Sequence, residues 1–169
     1  MKKKVLGLVI VALSVLAVQS SFADDQLYYI EGDAPAGTKF KVKELVSRIP
    51  LNKAYHALTE RQQQIFRENY AGIPDSQIPP FPSKGLESIY LPILEAHRRM
   101  PRDGEIFAIA IVDGKGRTRK VDVYKAPNQT IAQIVSAVLF ETKFDAGVCD
   151  GKPCAMEFPL EMKLQATIR

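Results

Sequence analysis

The sequence has few of the residues that enzyme active sites use most often. Its two histidines, His56 and His97, lie 41 positions apart, and it has two cysteines, Cys149 and Cys154. The Gly-x-Ser-x-Gly, His-x-x-x-His and P-loop motifs are all missing from it. The glycines of Asp113–Gly116 join two predicted strands, whereas a phosphate-binding loop joins a strand to a helix. We therefore expect no catalytic, cofactor or metal site, and an uncharacterised enzyme is the less favoured alternative.

Long hydrophobic runs are scarce as well. The longest apolar run, Val5–Val18, covers 14 residues, whereas a membrane-spanning helix needs about 20. Three lysines precede the run, and the small residues Ser21 and Ala23 follow it, a pattern typical of a secretory signal. We expect residues 1–23 to be a cleaved signal peptide that directs export to the periplasm, with membrane contact only if the segment is retained. No cysteine lies directly after the run, which disfavours a lipid anchor.

A large excess of one charge is absent once this segment is removed. The whole chain has 23 basic and 19 acidic residues, and three of the basic ones are Lys2, Lys3 and Lys4. Residues 24–169 therefore carry 20 basic and 19 acidic side chains, a formal net charge of +1. So small a charge gives no long-range attraction to nucleic acid or to an anionic membrane, and we expect neither as a partner.

The two cysteines lie five positions apart in the segment Cys-Asp-Gly-Lys-Pro-Cys. In an exported protein an even number of cysteines favours a disulfide, because the compartment is oxidising. A metal site needs more ligands than this segment supplies, and a redox dithiol usually has Cys-x-x-Cys spacing at the start of a helix. We therefore predict a structural disulfide between Cys149 and Cys154.

Residues 24–82 are predicted to form a mainly helical extension with a proline-rich end. Leu27–Ile30 has the pattern of a short strand, whereas apolar spacings of three and four predict a helix over Phe40–Ile49. The first residues of Phe40–Ile49 also alternate as a strand does. A capping box at Thr59–Gln62 begins a second helix. Pro74–Pro82 holds four prolines and is predicted to be a stiff spacer outside regular structure, at the boundary with a second domain.

Residues 83–169 are predicted to form a two-layer α+β domain. Ser83–Met100 has helical spacing, and Glu105–Asp113 is so nearly continuous in apolar residues that we predict a central strand buried on both faces. Met156–Leu164 alternates strictly between apolar and polar residues, and its outward Pro159 is typical of an edge strand. A three-stranded antiparallel sheet packed with helices is the simplest fold for this order: helix 83–100, strand 105–113, strand 118–125, helix 130–140 and strand 156–164.

This segment resembles the C-terminal domain of the TonB family over about residues 86–165. The likeness rests on the order and spacing of short motifs, found here as Tyr90–Pro92, Gly104–Asp113, Gly116, Val121–Val123, Ile131–Phe140, Lys143–Phe144 and Gly151–Pro153. In that family a glycine opens the first strand, an Asp/Gly turn follows, and the second strand has a Val-x-Val pattern. The resemblance implies a small sheet backed by helices.

The same resemblance implies a binding function rather than chemistry. A TonB-type domain pairs an edge strand with an extended segment of an outer-membrane receptor, which implies a periplasmic or outer-membrane protein partner bound by edge-strand addition. The candidate contact residues are Glu157, Phe158, Leu160, Glu161 and Lys163. An ordinary solvated edge is the alternative, because Pro159 lacks an N–H and would interrupt an added ladder.

Three departures from the TonB pattern argue against energy transduction. The N-terminal segment looks cleavable, and a nine-residue proline-rich stretch is too short to cross a periplasm. Residues 24–82 have no counterpart in the transducer. We therefore expect a stand-alone, non-catalytic periplasmic binding or adaptor protein. A membrane-anchored transducer for outer-membrane transport is the alternative, and a homodimer formed by strand exchange is left open.

Overall fold

The computed structural model describes residues 26–32 and 42–165, and the predicted signal peptide lies outside them. The described part is an α+β structure with three α-helices and several antiparallel sheets. Its first elements are β1 (Tyr28–Gly32), β2 (Val42–Ser47), a 3-10 turn (Tyr55–Ala57), α1 (Glu60–Arg67) and β3 (Phe81–Pro82). There follow α2 (Glu87–Arg99), β4 (Gly104–Val112), β5 (Thr118–Lys125), α3 (Gln129–Glu141), β6 (Phe144–Asp145), β7 (Gly147–Cys149), β8 (Lys152–Cys154) and β9 (Met156–Leu164).

The main sheet has three antiparallel strands in the order β5-β4-β9, which confirms the predicted three-stranded sheet. The β4–β9 ladder is regular over its whole length, from Gly104 opposite Leu164 to Val112 opposite Met156. The β4–β5 ladder is interrupted by two register shifts, one after Phe107 and one after Ile111. The two edges of the sheet therefore differ, because β9 is straight whereas β5 is bulged.

One face of β4 packs against the helices. Ala108 and Ala110 are fully buried, and their small side chains let α3 approach the sheet, as their alternation in the sequence predicts. Helix α3 places Ile131, Val135 and Leu139 on this face at spacings of four, and all three are fully buried. Burial of each such side chain stabilises the fold by about 1.5–3 kcal/mol.

The other face of β4 contradicts the prediction of burial on both sides. Phe107, Ile109 and Ile111 point away from the helices, are only partly buried, and do not belong to the hydrophobic core. Among the described elements, α2 and α3 lie on the opposite face. A sheet covered on one side alone leaves its central apolar strand half-exposed on the other.

The predicted helix over Phe40–Ile49 is wrong where the structure describes it, because Val42–Ser47 is a strand. This strand pairs with β1, which was predicted at Leu27–Ile30 and covers Tyr28–Gly32, and Ile30 lies opposite Leu45. Leu45 packs against the core while Val46 is 54% exposed, the alternation of a strand and not of a helix. In the described part of the extension, residues 26–32 and 42–82, two paired strands precede one α-helix, so this part is not mainly helical.

Helix α1 begins at the predicted capping box. The amide of Gln62 donates to Thr59 Oγ1 at 3.3 Å, and the Thr59 amide donates to Gln62 Oε1 at 3.0 Å. Only Phe66 of this helix is buried, and its ring meets Phe81 edge-on with centroids 4.8 Å apart and stacks on Phe158 at 6.2 Å. The aromatic contacts fasten the extension to β9, and buried residues on both sides of Pro82 belong to one hydrophobic cluster.

The proline-rich segment is held by backbone hydrogen bonds, contrary to the prediction that it lies outside regular structure. The amide of Ile78 donates to the carbonyl of Val148 at 2.9 Å, and the Val148 amide donates back at 2.8 Å. Phe81 and Pro82 pair with β6, and Phe81 is fully buried. The residues between the prolines keep their N–H groups, which is why the segment can still be anchored.

Candidate functional site at the outer edge of strand β9

The backbone of β9 turns alternate residues outward, away from β4. The Tyr70 hydroxyl donates to the carbonyl of Glu157 at 3.0 Å, so Glu157 is an outward position. Because the direction of the N–H and C=O groups repeats every two residues, Pro159, Glu161 and Lys163 are outward positions too. Pro159 therefore sits where its missing N–H takes no hydrogen bond from the β4 ladder.

The two halves of β9 differ in how many outward backbone N–H and C=O groups they offer to an added strand. At the start of the strand, Tyr70 occupies the Glu157 carbonyl, and Pro159 offers a carbonyl only. Farther along, Glu161 and Lys163 each turn both an N–H and a C=O outward, and no described residue hydrogen-bonds to these groups. A ladder-forming edge therefore runs from the Pro159 carbonyl through Lys163.

The five residues named from the sequence divide into two sets. Glu157, Glu161 and Lys163 have exposed side chains. Phe158 and Leu160 are each 1% exposed and pack in the core, so their side chains do not reach a partner across the edge. The structure brings Glu157, Glu161 and Lys163 together on one strand, and we restrict the candidate contact residues to these three.

A cleft of about 290 Å³ lies beside this edge. One wall comes from the end of β2, including Val46, another from α1, including Ile65, and the β9 wall includes Pro159 and Glu161. An ion pair of 3.2 Å between Arg48 and Glu68 joins the hairpin side of the cleft to the α1 side. The cleft is small and has both apolar and charged walls, so it suits side chains of a bound segment rather than a large ligand.

Two tyrosines lie near the outer edge of β9 and were not recognised as site residues in the sequence: Tyr90 lines the cleft, and Tyr70 bonds to Glu157. Burial raises the pKa of Tyr90 to about 12, and the nearby Glu161 carboxylate adds to the rise. Burial also raises the pKa of Tyr70, with a further contribution from Glu157. Both phenols therefore stay neutral at physiological pH, and the Tyr70 hydroxyl donates its proton to the Glu157 carbonyl. Sequence spacing gave no signal for them, because Tyr70 and Glu157 are 87 positions apart.

The opposite edge of the sheet is less suited to pairing with another strand. Strand β5 carries the two register shifts and has exposed basic side chains at Arg119, Lys120 and Lys125. Bulges and charged residues, lysine above all, are common protections against sheet extension. Strand β9 is therefore the better candidate edge.

The predicted disulfide is present between Cys149 and Cys154, whose Cα atoms are 5.8 Å apart. It ties β7 to β8 across a two-residue turn at Asp150 and Gly151, which have φ of 49° and 75°. Two positive φ values in succession are typical of the type I′ hairpin turn, and Asp-Gly is a preferred pair for it. The bond therefore closes a tight hairpin, as expected for a structural disulfide.

The described residues contain no group of three or more His, Cys, Asp and Glu side chains that could hold a metal ion. His97 is 5% exposed, and its Nε2 lies 3.2 Å from the amide nitrogen and 2.9 Å from the carbonyl oxygen of Arg102. His97 is therefore a buried histidine whose ring is held by the backbone of Arg102. No helix within residues 26–32 and 42–165 is both long enough and apolar enough to cross a membrane.

A scan against protein-family models finds no match for this sequence, and a search of curated proteins finds none either.

Proposed function

We propose that this protein is a non-catalytic periplasmic adaptor that binds an extended segment of a protein partner along the outer edge of β9. The observation that carries the proposal is the pair of outward N–H and C=O groups at Glu161 and Lys163, on a strand whose ladder with β4 has no bulge. An added strand gains main-chain hydrogen bonds at these groups and at the Pro159 carbonyl.

Alternate side chains of the added strand supply the selection. Those on the helix side of the sheet enter the cleft beside β9, where Ile65 and Val46 offer apolar contact. The phenol of Tyr90 lies near the carboxylate of Glu161, so a donor or a basic side chain of the partner is favoured there. The partner is therefore an extended peptide with apolar residues at alternate positions and at least one basic group.

The proposed family is that of TonB C-terminal-like domains, as a stand-alone member and not as an energy transducer. The order helix, strand, strand, helix, strand and the sheet order β5-β4-β9 support this assignment. Export to the periplasm rests on the segment at residues 1–23, and the Cys149–Cys154 disulfide is consistent with an oxidising compartment. The partner is then a periplasmic or outer-membrane protein, and no cofactor is involved.

In-cell photo-crosslinking of the full-length chain tests the proposed edge. A photo-crosslinking amino acid at Glu161 is expected to give a discrete adduct, whereas the same residue at Arg119 on β5 is expected to give none. The matched variants Lys163→Pro and Lys163→Ala then distinguish the contribution of the backbone N–H to partner binding from that of the side chain. Lys163→Pro removes an outward N–H and is expected to abolish the adduct, whereas Lys163→Ala keeps the N–H and the adduct. Thermal unfolding of both variants checks that each of them is folded.

Equal adducts from Glu161 and Arg119 would contradict the assignment of the edge. Loss of the adduct in both Lys163 variants would show that the side chain, and not an added strand, makes the contact.

A further inference from the structure

The sheet has a second face, on the side opposite the helices. Its centre is the row Phe107, Ile109 and Ile111 of β4, which is half-buried and lies outside the core cluster. Tyr124 of β5 extends this row, since its ring stacks on Phe107 with centroids 5.3 Å apart and is 63% exposed. We call this surface the open face. An apolar strip on a solvent-facing sheet is a mark of an interaction surface.

Charged residues flank the apolar strip with opposite signs on its two sides. Across the sheet, Ile111 pairs with Glu157 of β9 on one side and with Lys120 of β5 on the other. In the row of Phe107, the β9 residue is Glu161 and the β5 residue is Lys125. The β9 side of the strip is therefore acidic in the two rows in which the β5 side is basic.

The row between these two does not have an acidic residue on β9 and a basic residue on β5. Ile109 pairs with Pro159 of β9 and with Asp122 of β5, and Asp122 is bound to Lys120 at 2.7 Å. Lys125 is likewise paired within the chain, to Glu105. These pairs are exposed and weak, so the lysines remain available to a second carboxylate.

We propose that the open face binds the open face of a second copy of this chain, with the two-fold axis parallel to β4. Rotation about such an axis keeps each row at its height and exchanges left with right. Glu157 then faces Lys120 of the second copy, and Glu161 faces Lys125 of the second copy, while Ile109 packs on its own equivalent. The surface is self-complementary in charge and in apolar contact, as an isologous interface requires.

The charges favour this axis over the other face-to-face arrangement, in which the two-fold axis is perpendicular to the strands. A two-fold axis perpendicular to the strands stacks β9 on β9 and places Glu157 opposite Glu161 of the second copy. It also places Lys120 opposite Lys125. Like charges placed directly opposite one another destabilise a pairing, so the parallel axis is favoured.

The size of the face sets the strength of the association. Three strands about 4.8 Å apart and seven residues long give a face on the order of 350 Å² per copy. A standard stable interface buries roughly 800 Å² per partner, so the dimer is weak and depends on protein concentration. The face-to-face dimer leaves the outward N–H and C=O groups of Glu161 and Lys163 accessible. The dimer and the proposed partner site share the side chains of Glu157 and Glu161, so the two associations compete for these carboxylates while the main-chain groups of the edge stay available.

Sedimentation velocity over a range of protein concentrations tests the dimer with two charge-reversed variants. One carries Glu157→Lys and Glu161→Lys, and the other carries Lys120→Glu and Lys125→Glu. Each variant alone has like charges across the interface and is expected to dimerise at least about tenfold more weakly than the natural chain. An equimolar mixture is expected to form a heterodimer, because each basic strand then faces an acidic one. The heterodimer is expected to weaken at high salt.

The proposal would be overturned if the natural chain stayed monomeric at millimolar concentration, or if each variant alone self-associated as strongly as the natural chain. It would also be overturned if the mixture stayed monomeric although both variants unfold cooperatively. Ile109→Ser, which removes apolar contact without changing charge, is expected to weaken the natural dimer and the heterodimer alike. Failure of the dimer does not affect the Lys163→Pro crosslinking result, so the two proposals are separable.

Discussion

The hydroxyl of Tyr70, at the end of the α1 region, donates a hydrogen bond to the backbone carbonyl of Glu157 at 3.0 Å. This bond joins the N-terminal extension to the edge of the main sheet. It also withdraws one carbonyl from the set that an added strand can use. Tyr70 therefore holds the extension against β9, and the part of the β9 edge that is available to an added strand begins after Glu157.

Replacing Tyr70 with phenylalanine is expected to lower the free energy of unfolding by about 1 kcal/mol, because one hydrogen bond is lost while the ring remains. Urea denaturation measures the change. Tyr124→Phe is the matched control, since Tyr124 is 63% exposed, and it is expected to have almost no effect. An equal loss in both variants would show that the Tyr70 hydroxyl contributes nothing specific.

Stability at alkaline pH is expected to depend on Tyr90. Burial raises the pKa of Tyr90 to about 12 in the folded chain, with Glu161 adding to the rise. An unfolded tyrosine titrates near pH 10, so the folded pKa is the higher of the two. The contribution is then fully present below about pH 10 and is lost as the pH rises through about 12.

The melting temperature of the natural chain should therefore decrease as the pH is raised from about 10 to about 12. The fall should be smaller in Tyr90→Phe, which has no ionisable phenol, and unchanged in Tyr124→Phe. Thermal unfolding at a series of pH values measures it. A Tyr90→Phe variant with the full alkaline loss would contradict the assignment.

Stability at acid pH is expected to depend on Asp113, which follows β4 in the hairpin turn. Its carboxylate accepts hydrogen bonds from the amides of Arg117 at 3.0 Å and Lys115 at 2.8 Å, and from Arg119 Nε at 2.7 Å. The Arg117 amide is the largest cause of a pKa lowered to about 2. Because the folded pKa lies below the unfolded value near 3.9, the contribution is present above about pH 4 and is lost as the pH falls through about 2.

Asp113→Asn is therefore expected to unfold at lower urea concentration than the natural chain at pH 6. The difference should shrink steadily toward pH 2, where the natural carboxylate also becomes protonated. A difference between Asp113→Asn and the natural chain that is constant from pH 6 to pH 2 would rule out the carboxylate charge as its cause.

The parts of the fold that the sequence predicts correctly are those specified by local pattern. The apolar run of β4, the alternation of β9 and the Thr59 capping box each act within one element, and each is present. Cys149 and Cys154 are close in sequence, and so their disulfide could be predicted as well.

The parts that were missed depend on contacts between residues distant in sequence. Val42–Ser47 has an ambiguous spacing and is a strand because it pairs with β1, and Arg98 of α2 also binds Glu44 of this strand at 2.7 Å. The site beside β9 likewise includes Tyr70, which bonds to Glu157, and Tyr90, which lines the cleft, and no local motif connects either residue to the strand. Tertiary contacts of this kind override local preference, and periodicity alone does not contain them.

Gly116 is required in the turn between β4 and β5 for two separate physical reasons. Its φ of 73° is unfavourable for residues with a side chain, and a Cβ there would overlap the carbonyl oxygen of Phe144. The Phe144 amide also donates to the Gly116 carbonyl at 3.0 Å, so the two segments cannot separate without losing that bond. Gly72 shares the first constraint only, with φ of 75° and no atom within 4 Å of an added Cβ.

Gly72→Ala is therefore expected to cost about 1 kcal/mol, the strain of a left-handed alanine. Gly116→Ala is expected to cost about 3 kcal/mol, because displacing Phe144 and weakening its hydrogen bond add to the same strain. Urea denaturation of the two variants under identical conditions measures the difference. Equal losses would mean that the close approach of Phe144 to the turn is relieved without cost. The turn would then not fix how β6 and the neighbouring disulfide hairpin lie against the main sheet.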